Sequence, residues 1–197
     1  MPSPFRVVAL VGSTSERSRT QSLAETIASS LGEKVSVEVE TLRLRELVPD
    51  IGVAISRDTL GPSAARALQA IESAHLLIVA SPVYKGAYPG MFKHLIDFIP
   101  PDALVGRPVL LAATGGSDRH ALVVDSTLRP LFAFFRAHTV PSAVYASEQD
   151  FEDYAVRSLP LRDRIEEATS QAAALLHLSA QASAASVGQN VREAVAA

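Results

Sequence analysis

Three apolar runs constrain this chain more than any other feature. Phe5-Arg-Val-Val-Ala-Leu-Val11, Leu76-Leu-Ile-Val-Ala80 and Val109-Leu-Leu-Ala-Ala113 are each of strand length and almost unbroken in hydrophobicity. Each is followed at once by a loop rich in glycine, serine or threonine. A strand that reads as a continuous apolar run is covered on both faces, as in a parallel sheet with helices above and below. Val35-Ser-Val-Glu-Val39 alternates with period two and adds a strand, and Val140–Tyr145 adds a short one.

The segments between these strands carry helical spacing. Leu23 opens a helix that runs to Leu31 and stops at Gly32, and Ser63 stands where a cap would start a helix reaching Ala74. Met91–Ile99 is helical up to Pro100-Pro101, and a long helix is predicted from His120 to about Ala137. Leu161, Ile165, Ala168, Ala172, Leu175 and Leu176 mark one face of a last amphipathic helix. Between Thr41 and Gly61 the pattern is weaker: Leu42, Leu44 and Leu47 give a turn of helix that Pro49 interrupts. Strands and helices thus alternate five times, which predicts a flavodoxin-like three-layer α/β/α domain. Its five-stranded parallel sheet has the order 2-1-3-4-5. With 197 residues and 48% hydrophobic content the chain suits one domain, residues 1–178, followed by an alanine-rich tail over 179–197.

Composition removes several functions. A net charge of −3 offers no basic surplus for nucleic acid. The lack of cysteine excludes disulfides, thiolate catalysis and cysteine-ligated metals. No leader-like segment opens the chain and no apolar run reaches the length of a membrane span, so a cytoplasmic protein without membrane attachment is expected. There is no Gly-x-Ser-x-Gly elbow, and the five histidines show no metal-ligand spacing.

In the order 2-1-3-4-5 the chain reverses direction between strands one and three, and ligands bind in the crevice that this creates. The loops after strands one, three and four therefore meet. The first holds Ser13, Ser15, Ser18, Arg19, Thr20 and Ser22 ahead of a helix, a donor set for a phosphate dianion. Ser18 or Thr20 can equally cap that helix, and the two roles are compatible. Neither a Walker loop nor a dinucleotide fingerprint is present. The loop after strand three, Ser81-Pro-Val-Tyr-Lys-Gly-Ala-Tyr-Pro-Gly90, is stiffened by two prolines and suits a flat ligand, with Pro82, Val83, Tyr84 and Lys85 nearest the strand end. Thr114-Gly115-Gly116-Ser117 lets backbone amides approach the polar edge of a ring, and His120 follows, either at the site or simply opening the next helix. Phosphate loop, platform and glycine turn together describe a mononucleotide with a planar ring. FMN fits better than a nucleoside triphosphate, which wants a lysine and a magnesium ligand in the first loop.

The predicted helix from His120 contains Pro130, which cannot donate to the carbonyl of Ser126 and presses against it. A kink or single-turn π-bulge near Ser126 is expected. Leu122, Val123, Val124, Leu128, Leu131, Phe132, Phe134 and Phe135 make this helix apolar nearly all round, more than one domain face can bury. Deep burial under the last helix is one way to accommodate the surplus; the other, expected here, is a homo-oligomer, a dimer or tetramer, assembled through residues 120–137.

Taken as a set, Gly12-Ser13 with Ser18-Arg19-Thr20, the Pro82-Val-Tyr-Lys85 loop, Ala113-Thr-Gly-Gly-Ser117, His120 and Asp125-x-x-Leu-Arg-Pro130 resemble the NAD(P)H-dependent FMN reductases. Leu128–Phe135 and Tyr145-Ala-Ser-Glu148 are most similar to the reductases serving methanesulfonate and alkanesulfonate monooxygenases. The resemblance implies FMN phosphate on the first loop, at Ser13, Ser18, Thr20, Gln21 and Ser22, and the flavin ring against Pro82–Lys85 and the Thr114–Ser117 turn. It implies NADH or NADPH as donor and delivery of FMNH2 to a partner monooxygenase in sulfonate sulfur assimilation. It also implies a π-helix at a tetramer interface, where this chain has Ser126 in place of the Tyr or His common in that branch. No side chain is required as acid or base, and no metal. A quinone, azo or chromate reductase that keeps its FMN, and a flavodoxin-like electron carrier, are the competing readings.

Overall fold

In the computed structural model, residues 3–181 are described in full and 182–196 only as the continuation of the last helix. The central strand is β3 (Leu76–Pro82), buried along its whole length. Parallel to it on either side run β1 (Phe5–Val11) and β4 (Pro108–Gly115), with Val7 opposite Leu76 and Ile78 opposite Leu110. β2 (Val37–Arg43) pairs with β1 and forms one edge. At the other edge β5 (His138–Thr139) and β6 (Val144–Ser147) both pair with β4, so the order is 2-1-3-4-5 as the alternation predicts.

Side chains alternate across the sheet. Val7, Ala9, Leu76, Ile78 and Leu110 face α1 (Arg19–Gly32) and α6 (Leu159–Ala196). Val8, Leu10, Leu77, Val79 and Leu111 face α2 (Leu44–Ile51), α3 (Pro62–Ser73), α4 (Gly90–Ile96) and α5 (Arg129–Phe134). Both faces are thus sealed by helices, which is why the middles of the three central strands are apolar, with Arg6, Ser81 and Thr114 confined to their ends. Leu161, Ile165, Ala168, Ala172 and Leu176 are the buried face of α6. The tail expected from residue 179 lies almost wholly outside the described residues.

Several local expectations change for identifiable reasons. The second strand begins at Val37 rather than Val35 and continues to Arg43, because the turn after α1 is still closing through hydrogen bonds to Leu31. Ser63 is not the cap of α3. Pro62 occupies the first helical position behind Gly61, and the carboxylate of Asp50 accepts from the amides of Ser63 and Ala64 at 2.7 and 3.1 Å. The last strand is split at residues 140–143. Arg129 fills the gap, donating to Thr139 Oγ1, Val140 O and Pro141 O, while Gln171 of α6 accepts from the Ser142 amide. The predicted long helix starts with a one-turn 3-10 helix, Asp118–His120. It then widens into a π-helix over Val124–Leu128 before α5, with the Arg129 amide reaching back to Val124 O. Pro130 explains this, since the ladder must shift one residue to accommodate its ring and missing donor.

At the amino end of the sheet the Arg6 amide donates to His75 Nδ1 at 2.8 Å. An amide only donates, so the ring is neutral with its proton on Nε2. Desolvation, with Arg6 and Arg107 nearby, lowers the His75 pKa from 6.5. The unfolded chain therefore takes up a proton more readily than the native one, and the contribution present above pH 6.5 is lost as pH falls through the depressed native value. The ring is exposed, so the loss is modest. Unfolding midpoints at pH 7.5 and 5 are expected to differ more in the wild type than in His75→Asn, whose amide oxygen can still accept but does not titrate. Equal losses would remove His75 as the cause.

Candidate active site

The carboxyl ends of β1, β3 and β4 meet at a cleft of about 300 Å³, at the lower end of the range for small-molecule sites. Ser13, Ser18, Arg19 and Thr20 line it from the first loop, Pro82, Val83 and Tyr84 from the second, and Thr114, Gly115 and Gly116 from the third. Ser15, Arg17 and Tyr154 complete the wall. Gln21 and Ser22 follow Thr20 in the first turn of α1, where the Gln21 amide donates to the capping Ser18 hydroxyl and Ser22 lines a separate groove between α1 and α6. Lys85, Ser117 and His120 border the loops without lining the cleft.

Each loop is held by contacts specific to its residues. The Gly12 amide bonds to Ala80 O at 2.7 Å, drawing the first loop across the end of β3. The first turn of α1 carries no acidic residue, so the positive end of the helix is not neutralised from within. Thr20 is 2% exposed and its hydroxyl shares a 2.6 Å hydrogen bond with that of buried Thr114. This pair fastens α1 to the end of β4, and with Ser13 also buried the more open donors at this end of the cleft are Ser15, Ser18 and the two arginines. In the second loop the Val83 amide bonds to Thr114 O, and Tyr84 and Ala87 exchange backbone hydrogen bonds around Lys85 and Gly86. Both turn residues have positive φ, 54° and 85°, the geometry of a tight hairpin. Tyr84 is left 45% exposed at the mouth of the cleft.

The third loop depends on a residue the sequence did not single out. Tyr145 of β6 donates to Ser117 O at 2.6 Å, and a Cβ on Gly115 would lie 2.1 Å from that hydroxyl. Gly115 is therefore a packing requirement of Tyr145, whereas Gly116 has open space around it. Burial, with Asp118 and Asp150 nearby, raises the Tyr145 pKa and keeps the phenol a donor. Tyr154 was missed as well. It sits at the tip of a small hairpin, β7 (Phe151–Glu152) with β8 (Ala155–Val156), and its ring packs under two guanidiniums, 4.4 Å from Arg17 and 5.3 Å from Arg19.

None of the cleft's described lining residues is a carboxylate, and one end collects hydroxyls and guanidiniums while the other is Pro82, Val83 and Tyr84. That polarity suits an anion joined to a flat, partly apolar group. A larger groove of about 640 Å³ lies between α1 and α6, away from the loops, but Glu25, Glu33 and Glu166 line it and would repel the same ligand. Among the described residues there is no cluster of three or more His, Cys, Asp or Glu that could hold a metal ion, and no helix long and apolar enough to cross a membrane.

A doubly wound sheet with an anion-and-ring cleft at its switch point defines a flavodoxin-like nucleotide-binding protein. The chain belongs to the NADPH-dependent FMN reductase family, whose model matches residues 5–152. It is an oxidoreductase of that family, which works with FMN and NAD(P)H. It is 50% identical over 175 residues to an NADH-dependent FMN reductase, SfnF, of Pseudomonas fluorescens, covering 89% of this chain and 94% of the relative. It is 48% identical, with the same coverage, to an FMN reductase (NADPH) of Pseudomonas aeruginosa. Among solved structures it resembles an oxidoreductase from Corynebacterium diphtheriae with a TM-score of 0.80 and 32% identity, covering 88% of this chain and 97% of the other.

Proposed function

We propose that this protein binds FMN in the cleft, has it reduced by a nicotinamide dinucleotide, and releases it to a partner monooxygenase. The observation that carries this reading is the convergence of three dissimilar loops into one cleft, with anion donors at one end and the Pro82–Tyr84 wall at the other. FMN, when bound, supplies the electron chemistry, accepting a hydride from the nicotinamide. The chain supplies position. Ser13, Ser15, Ser18 and Arg19 hold the phosphate, Pro82, Val83 and Tyr84 back the ring, and the Thr114–Gly116 backbone meets its polar edge. Holding two reactants face to face supplies much of such a rate enhancement, and no side chain has to titrate. Tyr84, half exposed, is placed to guide the nicotinamide rather than to exchange a proton.

Delivery of reduced FMN to a monooxygenase, in sulfonate metabolism, is supported by the sequence likeness of Leu128–Phe135 and Tyr145–Glu148 to reductases of that branch. An open cleft from which flavin can leave agrees with it. The test is steady-state oxidation of NADH and of NADPH with FMN, FAD or riboflavin as acceptor. FMN is expected to give the highest kcat/KM, and a protein indifferent to the phosphate would contradict the site assignment.

The π-helix and α5 bear on assembly. Leu122, Ser126, Pro130 and Phe134 recur at four-residue spacing on the exposed side, with Leu122 76% and Phe134 66% exposed. Two exposed large apolar side chains, Leu122 and Phe134, bracketing small Ser126 and Pro130 along an irregular helix suit a homo-oligomer contact. Phe134→Glu is expected to reduce the mass measured by light scattering to that of a smaller species, with the thermal midpoint of the isolated subunit little changed. An unchanged mass would place the interface elsewhere.

A further inference from the structure

The segment after β6 crosses in front of the phosphate loop and carries negative charge toward it. Glu148 opens a one-turn helix fixed at its base by a capping box, in which Asp150 accepts from the Ser147 amide and hydroxyl. Gln149 bonds Asp118 and so ties the same turn to the third loop. From this base the Glu148 carboxylate reaches Arg19 at 2.5 Å. Five residues on, Asp153 reaches Arg17 at 3.1 Å. Asp153 and Tyr154 form the two-residue hairpin tip with φ of 43° and 70°. A left-handed tyrosine is costly and persists only where its surroundings demand that conformation. Here the demand is the two-residue turn itself, and the tip it forms places the Tyr154 ring against Arg17 and Arg19.

We propose that Glu148 and Asp153 are affinity-setting residues, carboxylates from which an incoming phosphate must take the guanidiniums of Arg19 and Arg17. This rests on the reading of the cleft as an FMN site. Both ion pairs are well exposed, with side-chain accessibilities of 39% and 60% for Arg19 and Glu148, and 68% and 88% for Arg17 and Asp153. Exposed pairs are weak, so they yield readily to a phosphate dianion that offers shorter, charge-assisted bonds. The displaced carboxylates remain beside the dianion and repel it. A reductase that must give up its flavin gains from this arrangement, since the competing carboxylates are always at hand when the phosphate leaves. Tyr154 keeps both guanidiniums in place during the exchange.

The test is equilibrium binding of FMN and of riboflavin, read from flavin fluorescence, to the wild type, Glu148→Gln, Asp153→Asn and the double variant. Glu38→Gln is the control, removing the same charge from an exposed position near the amino end of the sheet. Glu148→Gln is expected to tighten FMN about two- to five-fold and the double variant more, with riboflavin and the control unmoved. FMN binding that is unchanged or weaker in Glu148→Gln, or riboflavin tightened equally, would overturn the proposal. The cleft reading would survive that result if the wild type still prefers FMN. A wild type that binds FMN and riboflavin alike would remove both.

Discussion

Replacing Arg19 by alanine is expected to weaken FMN binding about 10- to 100-fold, the cost of one hydrogen bond between charged groups. Riboflavin binding should change by less than about two-fold, because the ring contacts come from other loops. The asymmetry is the informative part. Arg19 is the first residue of α1, immediately before buried Thr20, its guanidinium already sits at the cleft mouth over Tyr154, and its only carboxylate contact among the described residues is exposed Glu148. Removing it strips charge from the anion end and leaves Glu148 facing the phosphate without its counter-ion. Titrations of both flavins against the variant check this, and parallel losses for FMN and riboflavin would show that Arg19 supports the fold of the loop rather than the phosphate.

The second large effect concerns the foundation of that loop. A Cβ on Gly12 would stand 2.9 Å from Cδ2 of Phe92, which is fully buried, and 3.2 Å from Ala80 O, which accepts the Gly12 amide. Neither neighbour has room to retreat. Gly12→Ala is therefore expected to cost about 1–3 kcal/mol through overpacking. In a chain of this size that lowers the thermal midpoint by roughly 2–12 °C. Because Ser13 follows directly, FMN affinity should fall with stability. Gly116→Ala is the matched comparison, since nothing lies within 4 Å of its added carbon. Equal midpoints for the two variants would contradict the packing argument.

Much of this architecture is legible in the chain, and the reasons are local. Leu76–Ala80 admits no reading but a strand buried on both faces, and with its two companions it fixes the sheet order and the place where loops converge. Pro130 announces the π-helix because a proline's missing donor is a property of one residue. What escapes is set by partners distant in sequence. Asp50 caps α3 from across a loop, and Arg129 with Gln171 splits the edge strand at 140–143. The hairpin carrying Tyr154 has a turn of Asp and Tyr, without the Asn-Gly signature that such turns advertise, and strands of two residues each. Tyr145 is legible as the end of a strand and as part of the family likeness, but not as the anchor of the third loop, and its hydroxyl explains Gly115 better than ligand approach does. In the first loop, Thr20 carries the residue type of a phosphate donor but spends its hydroxyl on Thr114. Composition reveals which donors a loop offers, while burial decides which of them remain available.

FMN held in the cleft for reduction by a nicotinamide is the core of the proposed function. Anaerobic mixing of the protein with FMN and excess NADH or NADPH, followed through the visible flavin absorbance, tests this most directly. The band is expected to bleach within the mixing experiment in the presence of protein, and far more slowly in its absence or with Arg19→Ala at low FMN. Bleaching no faster than in the protein-free mixture, with either nicotinamide, would contradict it.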